Sequence, residues 1–577
     1  MRIQISPKHL LPLSLVLAAG CGDDEEETVD TGATDAAENA MDTDVSLDVV
    51  EEDSVEADTA PDTIVEMDIC EALELPVREF DPDETGRRRH EIGGDFTVTL
   101  MDGTDWTLSE EWSGCESYLF VPDNIVFSDL NSASIWEDGV AQLVTESPLN
   151  AHYFFVSVKG TDSAAETSLS AMQTRVDDAL SQLSPADAAH WAERLHVVNT
   201  RAGALDAWIG GSLATGIGQL GLTVDRFQQI RGVGSLADVT RIDPELQAAE
   251  LWPWERNISY VTNEARYYNF EAARQLELDA VNATEVVFWE GEVIEQFEDI
   301  NIELPSAEEM ANFDTLELDV TQHCPNPNAP EVGNCGAWDY LAHLWLYEGE
   351  GEDETRVELA RHITTYHREG RWIVDMTPAL VHLREGGTRH FRWEWAPEWN
   401  VQPTSTYLTL RFSNQDKGYQ PIEIGELWGG KNFNAEYNVD RERMRVVIPE
   451  AATRVELWAI ITGHGADTNQ CAEFCNHQHE FIIGGRSFYR EHEAVGNQEA
   501  CREAIDQGAV PNQWGTWWFG RGGWCPGQGV EPFIVDVTDL ATPGEELSID
   551  YYGWLGGQAP PENAGNIVMR SFIVSYE

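Results

Sequence analysis

The sequence predicts a multidomain chain of mixed class: an α/β domain followed by two antiparallel β-sandwiches of the jelly-roll kind. Three observations carry this. Between residues 70 and 245, short apolar runs alternate with helical patterns. From about residue 285, strand-like runs follow one another at short spacing, separated by Gly, Pro, Asn and acidic turns, with no long helical pattern between them. The 577 residues are 42% hydrophobic and include 21 Trp, enough apolar surface for several cores, about three by length.

The chain opens with MRIQISPKHLLPLSLVLAAGC. Arg2 and Lys8 precede an apolar run, Leu10 to Ala19, of signal-peptide length and too short for a permanent membrane span. Small residues before Cys21 resemble a bacterial lipobox, which makes Cys21 the expected lipidation site and residues 1–21 the expected signal. Residues 22–69 hold 19 Asp and Glu, no Lys or Arg and no aromatic residue. Such a segment cannot bury enough apolar surface to offset its ordering entropy, so a disordered acidic linker is expected. Without those 19 charges the formal −68 falls to −49 on the rest of the chain, whose cations are almost all Arg. A surface this negative disfavours nucleic acid and anionic membranes as partners. Membrane attachment is expected only through the lipid, on an exported bacterial lipoprotein anchored at the outer membrane or cell surface, facing the periplasm or the exterior.

In residues 70–245, DFTVTLMDGTDWTLSEEW alternates apolar and polar residues about a turn, and SYLFV and AHYFFVSV read as buried strands. SPADAAHWAERLHVV offers Ser184 as a helix N-cap with Pro185 at the first helical position. With LTVDRFQQIRGVG near the end, this order resembles a degenerate thioredoxin-like domain. No C-x-x-C is present, and Cys115 precedes its strand, so an accessory role is expected rather than redox chemistry. Residues 246–284 read as a connecting segment. Residues 285–430 and 431–577 read as the first and second jelly-roll domains.

Nine cysteines occur. Setting Cys21 aside leaves an even eight, which in an exported chain reads as a disulfide framework. Sequence neighbours suggest Cys324 with Cys335, Cys471 with Cys475 and Cys501 with Cys525, leaving Cys70 and Cys115; spacing by itself proves none of them. QCAEFCNHQHEF (470–481) poses the sharpest choice. Cys471, Cys475, His477 and His479 could ligate zinc, or the cysteines could close a loop that presents Glu473. Oxidation on export and the lack of a second matching pair favour the loop.

Several segments then carry a more specific resemblance. CPNPNAPEVGNCGAWDYLAHLWLY (324–347), RHITTY (361–366), FRWEWA, CAEFC and GRGGWCPG (520–527) together resemble the peptide-N-glycosidase F family over about residues 285–577. The resemblance implies two jelly-roll domains and three disulfides in the pairings suggested above. It implies a metal-independent amidase that cleaves N-glycans from asparagine, with no cofactor, acting as a monomer on N-glycosylated peptides or glycoproteins. It places the principal catalytic aspartate at Asp339, a functional glutamate at Glu473 and a further glutamate of the cleft at Glu394. Arg521 lines the cleft. Trp338, Trp395, Trp524, Tyr340 and His464 stand where substrate contacts are expected. The family's arginine after the aspartate is Tyr340 here, its tryptophan near Glu394 is Ala396, and its Gly-Trp-Gly-His becomes Gly463-His464-Gly465-Ala466.

Amide hydrolysis needs an activated water, a stabilised oxyanion and a protonated nitrogen leaving group. Carboxylates held at different pKa values can divide the proton work. This gives Asp339 the role of general base and Glu473 that of orienting water or sugar and handling a proton. Glu394 would hydrogen-bond the first GlcNAc, and Arg521 would help keep Asp339 ionised. Trp514, Trp517, Trp518, Phe519 and Trp524 offer further aromatic faces for sugars. Two other readings remain beside this one. One is an inactive glycan-binding lipoprotein. The other is a copper monooxygenase built on paired jelly rolls, for which His477 and His479, two apart on a strand, would be ligands.

Overall fold

The computed structural model describes residues 69–123, 135–205, 207–215, 220–248, 254–349, 351, 354–465 and 471–577. The signal, lipidation and acidic-linker expectations for residues 1–68 lie outside them.

The α/β part is built on one five-stranded mixed sheet. Its strands are β1 (Ser117–Pro122), β2 (Ala151–Val156), β3 (Leu195–Val197), β4 (Leu222–Val224) and β5 (Ile230–Gly232), in the order β3-β2-β1-β4-β5. The first three run parallel and the last two antiparallel. Every residue of β1 and β2 is buried, as expected of strands covered on both faces. Between β2 and β3 run α1 (Asp162–Leu180) and α2 (Pro185–Ala192). The Ser184 hydroxyl accepts from Asp187 N at 3.2 Å, with Pro185 opening the helix as its sequence signals. The expected turn also forms: Thr97–Thr99 pairs with Asp105–Thr107.

The expected connecting segment holds a 19-residue helix, α3 (Thr262–Ala280), with eight buried positions. It is a core element and not a linker.

Two sandwiches follow, each of two four-stranded antiparallel sheets. The first comprises β6 (Ala283–Ile294), β7 (Phe297–Ser306), β8 (Thr315–His323), β9 (Leu341–Glu348), β10 (Thr355–Ile363), β11 (Gly370–Asp375), β12 (Gly386–Glu394) and β13 (Thr404–Ser413). Its sheets run β6-β13-β8-β11 and β7-β12-β9-β10 around Leu316, Leu318, Leu344, Phe391, Trp393 and Leu410. The second comprises β14 (Pro421–Gly429), β15 (Met444–Val447), β16 (Arg454–His464), β17 (His477–Ile483), β18 (Arg486–Arg490), β19 (Phe533–Asp536), β20 (Glu546–Leu555) and β21 (Asn566–Tyr576). Its sheets run β14-β21-β16-β19 and β15-β20-β17-β18. The division expected at residue 430 falls one strand late. β14 pairs with β21, so the second sandwich begins at Pro421.

The sandwiches meet where β10 crosses β16 and β21. Arg361 donates to Thr462 Oγ1 at 3.2 Å and to the Val568 carbonyl at 2.9 Å. Ile363, Trp524 and Val530 form a small apolar cluster between them. The middle of the segment between β18 and β19 reaches out of the second sandwich. Its Ile505, Val510, Trp517 and Trp518 join the core of the α/β part, beside Tyr260 and Tyr267. All four disulfides are formed in the pairings suggested by sequence order.

Candidate functional site

Asp339 lies two residues before β9, just past the Cys324–Cys335 disulfide. Thr364 pins the backbone on both sides of it. The Thr364 hydroxyl accepts from Tyr340 N at 2.8 Å and donates to the Trp338 carbonyl at 2.8 Å. The carboxylate therefore projects from a fixed point, not from a free loop.

Glu473 belongs to the one-turn helix Cys471–Phe474, closed by the Cys471–Cys475 disulfide. Gly522 N donates to its carbonyl at 2.7 Å, and Gly465 N donates to its Oε2 at 2.8 Å. Two glycines let this turn sit down. A Cβ on Gly463 or Gly522 would overlap the Ala472 carbonyl oxygen.

The two acids meet on one cation. Arg521 places Nη2 3.5 Å from Asp339 Oδ2 and Nε 3.2 Å from Glu473 Oε1. Its remaining donors are spent locally: Nη1 on the Phe519 carbonyl at 2.8 Å, and Nη2 on Thr516 Oγ1 and Tyr366 Oη at 3.3 and 3.4 Å. Trp524 and Phe474 cover the guanidinium, at 4.8 and 5.5 Å from their ring centroids. Arg521 is thus almost fully enclosed, while the side chains of Asp339 and Glu473 keep 13% and 17% of their surface open.

Burial pushes the Asp339 carboxyl up to about 6, against the pull of Arg521 and the Tyr366 hydrogen bond, and Glu473 adds to the upward shift. Burial and the neighbouring Asp339 push the Tyr366 phenol well above its ordinary value, so it stays a neutral donor. Burial works against the Arg521 charge, but Tyr366, Asp339 and Glu473 outweigh it and hold the guanidinium firmly protonated.

The other expected residues divide. Trp338 is 42% exposed and stands beside Tyr366, with ring centroids 6.5 Å apart. Tyr340 accepts from Asn400 Nδ2 at 2.6 Å and meets Trp399 edge-on at 5.9 Å. His464 stacks on Trp524 at 5.1 Å, and burial lowers its pKa to about 3, so the ring is neutral. Glu394, at the end of β12, pairs with Arg356 at 3.4 Å and stands opposite His343 on β9. Its recorded partner is Arg356 and not Arg521.

Two expectations need correction. Trp395 is only 1% exposed, and its indole N–H is taken by the Gln402 carbonyl at 2.9 Å, so no face is open to a sugar. Trp514, Trp517, Trp518 and Trp524 are likewise buried, Trp524 donating to the Gly463 carbonyl at 2.8 Å. Their apolar rings pack in protein because the segment that carries them crosses to the α/β core. Sequence reasoning missed Thr364, Tyr366 and Trp399. The first two sit in RHITTY, whose polar end could have been read as leaving the strand to face the acids. Trp399, 79% exposed, is the conspicuous aromatic of the rim.

The choice posed by residues 470–481 also resolves. Cys471 and Cys475 are bonded to each other and unavailable to a metal. His477 and His479 do share a face of β17, with ring nitrogens 2.7 Å apart, and His492 joins them. Among the described residues no second group of three histidines stands opposite, which the paired-domain copper reading requires.

Comparison with known proteins follows the same division. Residues 432–574 match the family model described as peptide-N-glycosidase F, C terminal. The second sandwich therefore carries the C-terminal domain of that family, and the resemblance read from the sequence holds there. The solved structure of PNGase F, described as a glycosylasparaginase from Flavobacterium meningosepticum, is 17% identical, with 51% of this chain and 96% of that chain covered and a TM-score of 0.39. PNGF-II is 11% identical, with 53% and 68% covered and a TM-score of 0.39. Scores at this level carry no argument about chemistry. No curated protein matches the sequence.

Proposed function

We propose that this chain is an exported peptide-N-glycosidase. It hydrolyses the asparagine side-chain amide of N-glycosylated peptides or glycoproteins, giving aspartate and a glycosylamine. One observation supports this above the rest: acids from two different sandwiches, Asp339 and Glu473, converge on the single buried guanidinium of Arg521.

The roles follow from the surroundings. At about 6, the Asp339 pKa leaves the group ionised at neutral pH yet basic enough to take a proton from water. Arg521 offsets the repulsion between the two acids and helps both stay ionised. Glu473, pinned by Gly465 N, orients the water or the first sugar and relays toward the leaving nitrogen the proton that Asp339 takes from that water. Tyr366 donates to Asp339 and steadies its ionised form. Trp338 and Trp399 offer open faces to the glycan or the peptide, and Glu394 binds at the margin. No step calls on a metal.

The four disulfides support export, as thiols in a reducing compartment rarely pair. A lipid anchor at Cys21 remains part of the proposal. Three parallel strands followed by an antiparallel pair support reading residues 70–245 as a degenerate thioredoxin-like domain with a bracing role.

The test is a glycopeptide treated with the purified protein in the presence of a chelator. Release of the glycan with conversion of Asn to Asp in the peptide, lost in Asp339→Asn, supports the amidase. Glycopeptide binding without turnover in the wild type would establish the lectin-like alternative instead.

A further inference from the structure

Behind the Glu473 turn, on the far side of Ala472, three buried histidines converge: His477 and His479 from β17, and His492 from the loop after β18. One ligand nitrogen of each lies within 4.8 Å of the other two. His479 Nδ1 stands 2.6 Å from Tyr551 Oη, which is itself 2.8 Å from Tyr437 Oη. His477 Nδ1 and His479 Nε2 lie 2.7 Å apart, one ring donating to the other. His477 Nε2 and His492 Nε2 are both buried with no hydrogen-bond partner.

A hydrogen-bonded pair of imidazole nitrogens beside a third buried ring, with two nitrogens left unpartnered, is an arrangement that a borderline-soft cation can take over, releasing the proton shared by the pair. Two nitrogens on one tetrahedral zinc stand about 3.3 Å apart, given Zn–N of about 2.0–2.1 Å, so a small ring shift would admit the ion. An outer hydrogen bond such as His479 to Tyr551 is the usual support for a ligating histidine. There is also a way in. His492 lines a cavity of about 800 Å3, whose wall carries Glu491, Glu493, Glu503 and Glu531. Its cations are Arg490 and Arg521, and the latter is already paired with two acids.

We propose that His477, His479 and His492 form a binding site for one divalent transition cation of the zinc class, with its fourth position open to this cavity. The ion would tie the His492 loop to β17 and brace the Ala472 carbonyl from behind. It is a structural site, separate from the reaction at Asp339 and independent of whether that reaction occurs.

The experiment is zinc titration of the full, untagged, chelator-stripped chain, read by calorimetry, by metal content after gel filtration and by Tm. One tightly held zinc and a raised Tm are expected. His492→Ala should lose the bound ion and the Tm shift. Tyr551→Phe, which keeps the ring packing, should weaken binding roughly 10- to 100-fold and carries the test should His492→Ala fail to fold. Absence of zinc uptake, or uptake equal in wild type and Tyr551→Phe, overturns the proposal, since the acidic surface alone would then account for any binding.

Discussion

At Asp339, burial and charge compete, and the balance sets a pH dependence. The group must be ionised to act as a base, so kcat/KM is expected to rise with pH and level off above about 6. A flat profile from pH 4 to 8 would remove Asp339 from that role. The same shift has a consequence for stability. The folded pKa lies above the unfolded one, so between about 4 and 6 the folded chain binds a proton that the unfolded chain does not. This group therefore weakens the fold above pH 6 and ceases to do so below pH 4. Asp339→Asn should lose roughly 100- to 10,000-fold in rate. Its Tm should equal or exceed that of wild type at pH 7.5, with the difference shrinking as the pH falls. Arg521→Ala is the opposite case. It strands two partly buried carboxylates, and breaking such a pair costs about 3–5 kcal/mol. The loss should appear in denaturant midpoints, and any remaining activity should titrate at a higher pH.

At the scale of elements, the Cys471–Cys475 turn and the Cys501–Cys525 bridge do different work. The first closes a loop with a sequence separation of 4, the second one of 24. Loop-closure entropy then assigns about 2 kcal/mol to the first and about 3.5 kcal/mol to the second. Paired Cys→Ser variants should show the larger Tm loss at 501/525. The larger loss of kcat should fall at 471/475, where the tether holds Glu473. Edge position weakens the strand signal in some segments, and β7, β14, β15 and β18 all lie at sheet edges. Edge strands bury fewer side chains and carry charge, as FEDINIELPS does, so the apolar alternation that marks a strand is weak. The interior strands β8, β9, β16 and β21 were plain because their apolar residues face a core.

Across the whole molecule, the α/β part and both sandwiches are joined through one buried polar knot. Arg368 donates to Glu264 on α3 at 2.8 Å, reaches Glu331 at 2.6 Å and donates to the Pro511 carbonyl at 2.9 Å. Asn512 donates to the same Glu264 at 2.9 Å. The knot lies just upstream of the segment that carries Trp517, Trp518 and Arg521. Glu264→Gln should therefore destabilise all parts together, by about 3 kcal/mol or more, and a single cooperative transition in calorimetry should move to lower temperature. Deleting residues 70–245 should expose Trp517 and Trp518 and reduce activity, although the partners described above for the acids lie outside that stretch. The formal charge of −68 adds self-repulsion, so Tm should rise with added salt.

The sequence by itself determined the residue chemistry and the local frames. Ser184 and Pro185 set a helix start, and alternating apolar runs set the interior strands. The acids Asp339 and Glu473 were legible through the resemblance of the segments that carry them to a known family. Only the tertiary structure decided which aromatic rings face solvent and which acids share a cation. Those outcomes depend on the middle of the segment after β18 reaching out of its own sandwich to fill a distant core. Burial is a property of what packs on both sides of a residue, and no local pattern records the second side.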